Sequence, residues 1–548
     1  MNGSKTVVNL LSQANHAARQ AQFDAAQSLV DQALDLEPHH EGALSFKAKI
    51  ALHLKHYAAA ESALKVLVLR VPQNLQYAIT LAQLYVSQND FARAPTVFEP
   101  LLKQFKHPDL SFNYAWFLTR SGDYKNAVIH YQQAIDQDVD HPEEVHLNLA
   151  NLYSTRLASP TLAKRHLESA LDCNPNYIDA LYNLGNLHED AGERGAATEC
   201  FRKILHIAPN HGKAAARIAM AIDPREDSKD IISEAIDRLK ALLADPSLVD
   251  DDRVDCCYAL GKLYDQKGDY AHAFSSWQLA NSTNKKLVGP FDQSALSARV
   301  DHLLERYSAA WFDRFASTNT AAPVFICGMF RSGSTLLEQM LAAHPNLTAG
   351  GELDYFPKVA LQLNAEKPPA EGYSGTLLAT IANNYEEELL TRAQPGTAVT
   401  DKRPDNVLHI GLIKTVFPNA RIIITQRALL DTALSIYSHR FGRDMSYACD
   451  LEDIVFYAGQ LTRLVDHWVS LFPTTITVVD YDNLVRNPQA AITEVLKLLQ
   501  LDWNEACLTF YRLRNSVSTA SVWQIRQPLY ESSLARWRNY QSQLEALL

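Results

Sequence analysis

Through roughly its first half the chain repeats one arrangement of apolar and polar positions. Alanines and large apolar residues fall at helix spacing, and the set returns at a fixed period: Pro38 and Pro72 are 34 residues apart, as are Pro175 and Pro209. Ala26 and Ala33 precede Pro38 at the offsets at which Ala163 and Ala170 precede Pro175. Leu184, Gly185, Ala197, Phe201 and Ile204 fill the same slots before Pro209, and Leu260, Gly261, Tyr264, Ala273, Trp277 and Ala280 make a later copy. Ala82, Tyr85, Ala94 and Phe98, then Ala115, Ala127, Tyr131 and Ala134, mark units between them. The small residues let two antiparallel helices approach, the large ones fill the gap to the next pair, and proline opens the following connection. A degenerate stretch near 211–250 interrupts the pattern, and MAIDPREDSKD within it reads as a loop. After Ala280 comes NSTNKKLVGPFDQ, a polar, turn-rich stretch, then a helical segment and STNTAAP. From Pro323 the period changes: VFICG, AVT, ARIIITQR and TITVVDY are strand-like runs separated by helices.

This period and residue-size pattern resembles the tetratricopeptide repeat family over residues 7–283, in about seven units. The resemblance implies an all-α solenoid with a concave groove suited to a peptide or partner protein. Residues 284–322 read as a helical connector and 323–548 as a second domain. Alternation of strand and helix there predicts an α/β fold with a mainly parallel sheet, whose ligands sit beyond the carboxyl ends of the strands.

Composition narrows the class. A formal net charge of −11 over 548 residues argues against a nucleic-acid partner, although Arg512, Arg514, Arg526, Arg536 and Arg538 gather near the C-terminus against Glu531 and Glu545 alone. The seven cysteines form no CxxC pair, which fits reduced thiols, no structural zinc and a cytoplasmic location. The N-terminal MNGSKTVVNLLSQANHAARQ holds no uninterrupted apolar signal core, and no run is long enough to predict membrane insertion.

The motif richest in chemistry follows the VFICG strand. Gly328 to Gly333 is G-x-x-x-x-G, followed by Ser334 and Thr335, on a strand–loop–helix pattern. A nucleotide triphosphatase has lysine where Ser334 stands, with a downstream acidic residue for magnesium, and this chain shows neither. What remains suits a tetrahedral anion held without metal: backbone N–H groups at a helix start, the hydroxyls of Ser332, Ser334 and Thr335, and Arg331. A plain strand-to-helix turn with capping serines has the same local sequence.

With these motifs in view, residues 323–548 resemble the sulfotransferase superfamily, and within it the tyrosylprotein sulfotransferase branch. The resemblance implies 3′-phosphoadenosine 5′-phosphosulfate as co-substrate and no metal. Arg331, Ser332, Gly333, Ser334 and Thr335 inherit the hold on its 5′-phosphosulfate end, while Arg427 and Ser435, eight residues on, inherit the 3′-phosphate. Tyr481, in VVDYDNLVRNP, matches a tyrosine of the nucleotide site. Glu352 matches the base that takes the acceptor proton, with Asp354 its competitor. Lys402 matches the cation near the scissile sulfate, with Arg403 beside it. In the closing segment Ser521 (or Ser518) matches a serine at the sulfate and Arg536 a basic nucleotide contact, with Arg526 a further candidate. The R-K-G-x-x-G stretch of small-molecule cytosolic sulfotransferases is absent from the sequence. The implied reaction is one in-line sulfuryl transfer to a hydroxyl, protein or peptide tyrosine first. A glycan, a lipid, a small alcohol or phenol, and a non-catalytic repeat scaffold with a nucleotide-binding remnant stand as alternatives.

Overall fold

A computed structural model describes residues 2–157, 159–513, 515, 517 and 523–547. The chain divides into two compact units, Met1–Ala180 and Leu181–Leu548. The first unit is built of helix pairs, among them Phe23–Leu36, Glu41–His53, Tyr124–Asp136 and Pro160–Cys173. The alanines at the repeat slots (Ala26, Ala33, Ala163 and Ala170) are fully buried, which is what close helix approach requires. One unit departs from the pattern. Instead of a long helix around Ala94 and Phe98, two single turns, Arg93–Thr96 and Glu99–Leu102, follow each other. Pro95 and Pro100 lack the N–H groups that a continuous helix needs there.

The second unit opens with further helix pairs. A Cβ on Gly185 would lie 2.6 Å from the Phe201 ring, and one on Gly261 would lie 2.3 Å from Trp277. The small slot and the large slot of each repeat are thus in direct contact. Within the MAIDPREDSKD stretch the loop is confined to 222–228: the helix Gly212–Ala221 takes in its first two residues, and Lys229–Ala244 is helical after it. The polar NSTNKKLV stretch is not a turn: the helix Tyr270–Val288 runs through it and stops at Gly289, with φ +91°. Asn281 and Asn284 are buried, the first with both amide atoms paired and the second with its Nδ2 paired. Asn281 Nδ2 donates to the carbonyls of Trp277 (2.9 Å) and Tyr437 (2.8 Å). Its Oδ1 accepts from the Tyr258 hydroxyl at 2.7 Å, and Asn284 Nδ2 donates to the Phe441 carbonyl at 3.0 Å. Hydrogen-bonded burial overrides the turn preference of asparagine.

Among the described residues the sheet has five parallel strands in the order β2-β3-β1-β4-β5. They are β1 (Val324–Gly328), β2 (Leu347–Ala349), β3 (Ala398–Lys402), β4 (Arg421–Gln426) and β5 (Ile476–Asp480). Four were legible as apolar runs, whereas the three-residue β2 was not. β1 is central and buried throughout, with β3 on one side and β4 on the other. The connection after β1 runs to the β2 edge and the one after its neighbour β4 runs to the β5 edge, so the loop after β1 lies at the switch point where such sheets bind ligands.

Candidate active site

Each of these strands delivers a candidate residue at or just beyond its carboxyl end. β1 leaves through Gly328 at φ +138°, where a Cβ would lie 2.3 Å from the Thr425 carbonyl oxygen. Arg331 then takes a left-handed conformation (φ +67°) and Gly333 another (φ +100°), and the Ser334–Ala342 helix begins. Ser332 is buried and engaged within the loop. Its Oγ donates to the Met329 carbonyl at 2.6 Å and shares a 2.6 Å hydrogen bond with Thr425 Oγ1. Gly333, Ser334 and Thr335 instead line a cavity of about 270 Å³, presenting the positive end of the helix to it. Arg331 also lines this cavity; its Nε donates to Ser435 Oγ and its Nη2 to Gln524 Oε1, both at 3.1 Å. Burial, and then the nearby cations Arg427 and Arg536, push the Arg331 guanidinium down to about 10. An anion bound there would reverse that penalty.

Arg427 follows β4 and lines the same cavity. Its Nη2 donates to the Ser533 carbonyl at 2.5 Å and its guanidinium lies 4.6 Å from the centre of the Tyr481 ring. Its Nε is buried with no partner among the described residues, a donor left for a ligand. Tyr481, just past β5, hydrogen-bonds Ser533 Oγ at 3.1 Å and packs so tightly on Gly333 that a Cβ there would lie 2.3 Å from Cδ2 of the ring. Two guanidiniums, a helix start and a side-chain-free glycine therefore converge, and they fit a nucleotide carrying more than one phosphate-type group.

Across the sheet, Lys402 ends β3 and Glu352 follows β2. Lys402 Nζ lies 2.6 Å from Glu352 Oε1; the lysine side chain is 1% exposed and the glutamate, on the cavity wall, 37%. Beneath them Glu338, from the helix after the β1 loop, accepts from the Gly351 N–H and Thr400 Oγ1, both at 3.0 Å. Burial pushes the Glu338 carboxyl up, opposed by Lys402. Asp354 takes the other cation: Arg403 donates to it at 2.5 Å and to Asp405 at 2.7 Å. The pairing separates Glu352, facing the cavity, from Asp354, held by Arg403.

Next to Lys402, Asp401 is fully buried, and burial pushes its carboxyl up to about 8 against the Tyr385 hydroxyl, 3.1 Å away, and the Leu353 N–H. Below about pH 4 this carboxyl is protonated folded and unfolded alike. Between there and about 8 the unfolded chain releases the proton while the fold retains it, so stability falls as pH rises, by at most about 1.4 kcal/mol per unit. Asp401→Asn is expected to flatten the loss of urea resistance between pH 5 and 8. Equal slopes in the two proteins would mean that Asp401 is ionised in the fold.

Arg536 is engaged elsewhere, its Nη2 2.9 Å from Asp265 Oδ2. Arg526 donates to the carbonyls of Leu513 (2.6 Å) and Asp190 (3.2 Å). Neither Arg526 nor Arg536 lines the cavity, unlike Ile525 and Gln527. Ser518 and Ser521 lie outside the described residues. Glu338, Gln524 and Tyr530, also part of the site, were not read from sequence. Glu338 had a signal, an acidic residue on the buried face of LLEQML; the aperiodic tail offered none for the other two.

Residues 323–505 match the Sulfotransferase family, and residues 17–84, 79–142, 178–211 and 254–282 match Tetratricopeptide repeat families. The chain is a sulfotransferase-family domain fused to tetratricopeptide repeats. An uncharacterized protein of Aquifex aeolicus (strain VF5) is 29% identical over 398 residues, covering 70% of this chain and 51% of its own. A protein-tyrosine sulfotransferase of Drosophila melanogaster is 26% identical over 255 residues, covering 43% of this chain and 50% of its own. The chain thus spans about half the length of these two relatives. Among solved structures, the sulfotransferase domain of the Synechococcus PCC 7002 olefin synthase aligns at 21% identity with a TM-score of 0.32, over 40% of this chain and 88% of that one. No helix among the described residues is long and apolar enough to cross a membrane.

Proposed function

We propose that the chain transfers a sulfuryl group from 3′-phosphoadenosine 5′-phosphosulfate to a hydroxyl acceptor, protein or peptide tyrosine first among them. The observation that carries this reading is the convergence at one cavity of the β1 loop, Arg427 and Glu352, with Lys402 on Glu352. Its fit to the donor rests on the Gly333 cradle and on the partnerless buried Nε of Arg427. The donor supplies a sulfur linked to a good leaving group. Arg331 and the Gly333–Thr335 helix start bind the 5′ end, Ser435 positions Arg331 through its 3.1 Å hydrogen bond, and Arg427 binds the 3′-phosphate over Tyr481. Glu352 takes the acceptor proton, and Lys402 holds Glu352 in place through their 2.6 Å ion pair while its charge offsets that gathering on the bridging oxygen. Arg536, on Asp265, serves the same end at one remove by holding the tail that carries Ser533. The repeats, residues 7–283 with a connector to 322, are proposed to receive the acceptor or a partner protein, as arrays of this kind suit peptide binding. A cytoplasmic location belongs to the same reading, supported by seven free cysteines.

Labelled donor incubated with the full chain and a set of tyrosine, serine, glycan and small-phenol acceptors tests this. Label on tyrosine peptides is expected. Label confined to a glycan, lipid or small alcohol corrects the acceptor, and nucleotide binding without transfer to any of them or to cell extract leaves a scaffold.

A further inference from the structure

The outer wall of the cavity is the chain around 524–530: Gln524, Ile525, Gln527, Pro528, Leu529 and Tyr530 all line it. None of these belongs to the parallel sheet. Upstream, Arg526 turns away between the wall residues Ile525 and Gln527 and lays its guanidinium on the end of the repeat helix Ile178–Asp190. Its Nη2 donates to the Asp190 carbonyl at 3.2 Å, which also accepts from the Val517 N–H at 3.0 Å. A cation at the carboxyl end of a helix is electrostatically favoured. Gly192, at φ +77°, makes room: a Cβ there would lie 3.0 Å from Arg526 Nε. The same guanidinium gathers the wall's own approach, Nη1 donating to the Leu513 carbonyl at 2.6 Å and Nη2 also to that of Asn515. Downstream, Asp265 of the repeat helix Asp250–Gln266 takes both Arg536 (2.9 Å) and the Tyr540 hydroxyl (2.5 Å). Between these anchors, Asp431 accepts the N–H groups of Ala535 and Trp537 at 2.8 and 2.9 Å, and Ser533 meets Arg427.

We infer that the last two repeat units, 178–211 and 254–282, are the platform on which the cavity's outer wall is hung, with Arg526 and the Asp265–Arg536 pair as positioning residues. The wall reaches the anion site through Gln524 on Arg331 and Ser533 on Arg427, so its placement sets the geometry of both guanidiniums. This goes beyond a groove for the acceptor: these repeats complete the nucleotide site itself. The inference rests on the proposed reading of the cavity as a nucleotide site, and the test separates the two.

Full-length wild type, Arg526→Ala, Arg526→Lys and Asp265→Asn are compared by hydrogen exchange and by calorimetry with adenosine 3′,5′-bisphosphate. Exchange of amides 524–530 is expected to quicken about tenfold in Arg526→Ala and Asp265→Asn, with β1 and the Asp250–Gln266 helix protected as in wild type. Nucleotide affinity is expected to fall about tenfold in the same two variants. Arg526→Lys, which still reaches one carbonyl, should recover to within about threefold. Unchanged exchange at 524–530 in both variants, or quickened exchange with unaltered affinity, overturns the inference. If wild type itself binds no adenosine 3′,5′-bisphosphate, the proposed function falls and the exchange measurement alone decides whether the repeats hold the wall.

Discussion

Glu352→Gln is expected to lower the turnover of an accepted hydroxyl substrate by about 10²–10⁴ while leaving adenosine 3′,5′-bisphosphate binding within about threefold of wild type. The substitution preserves shape and removes only the basic lone pair and the charge. A free phenol is a weak acid, with a pKa of about 10, and does not give up its proton in advance. The carboxylate becomes effective as the oxygen–sulfur bond forms and the phenolic proton turns strongly acidic, which confines its contribution to the transition state. Lys402, 1% exposed and 2.6 Å away, holds the carboxylate in place for that moment. In the variant the buried lysine keeps its electrostatic interaction with Glu338, so the fold is expected to survive. Steady-state turnover on one defined acceptor, with calorimetry on the same preparation, checks this. Turnover within threefold of wild type would remove Glu352 from the role of base and return attention to Asp354, which Arg403 now occupies.

Gly333→Ala should cost the nucleotide site more than any single polar contact does. The residue sits at φ +100°, a conformation that costs an alanine about 1–2 kcal/mol, and the new methyl would lie 2.3 Å from the Tyr481 ring. Relief requires moving Tyr481, which carries Arg427 on its face and holds Ser533. One methyl thereby disturbs both the helix start and the second guanidinium. Affinity for adenosine 3′,5′-bisphosphate is expected to fall at least about 100-fold, that is by about 2.7 kcal/mol. Wild-type affinity in Gly333→Ala would show that the loop is an ordinary helix entry rather than an anion cradle.

The parts of the molecule that the sequence displays are those governed by local periodicity. The repeat slots are visible because Gly261 meets Trp277 and Gly185 meets Phe201 at fixed offsets, and buried strands show as unbroken apolar runs. β2 is hidden because three residues are too short to carry a period. NSTN reads as a turn because four small polar residues satisfy turn chemistry, and only the carbonyls of Tyr437 and Phe441, more than 150 positions away, explain their place in a helix. The site divides in the same way. Arg331, Gly333 and Thr335 belong to one contiguous motif, and Arg427 and Tyr481 follow recognisable strands. Gln524 and Tyr530 depend on where an aperiodic tail comes to rest, and that is decided by Asp190 and Asp265 far earlier in the chain.

The buried asparagines of the Tyr270–Val288 helix set where this protein can be cut. A fragment begun at Pro323, on the boundary suggested by the family match, would leave the Tyr437 and Phe441 carbonyls without the amides of Asn281 and Asn284. Each hydrogen bond lost in this way is worth about 0.5–1.5 kcal/mol, a sizeable share of what usually holds a domain together. Recombination or cloning that treats the catalytic half as a portable cassette therefore breaks a folding unit that begins near Leu181. The piece to keep whole is Leu181–Leu548, the sheet together with the helices that precede it in that unit.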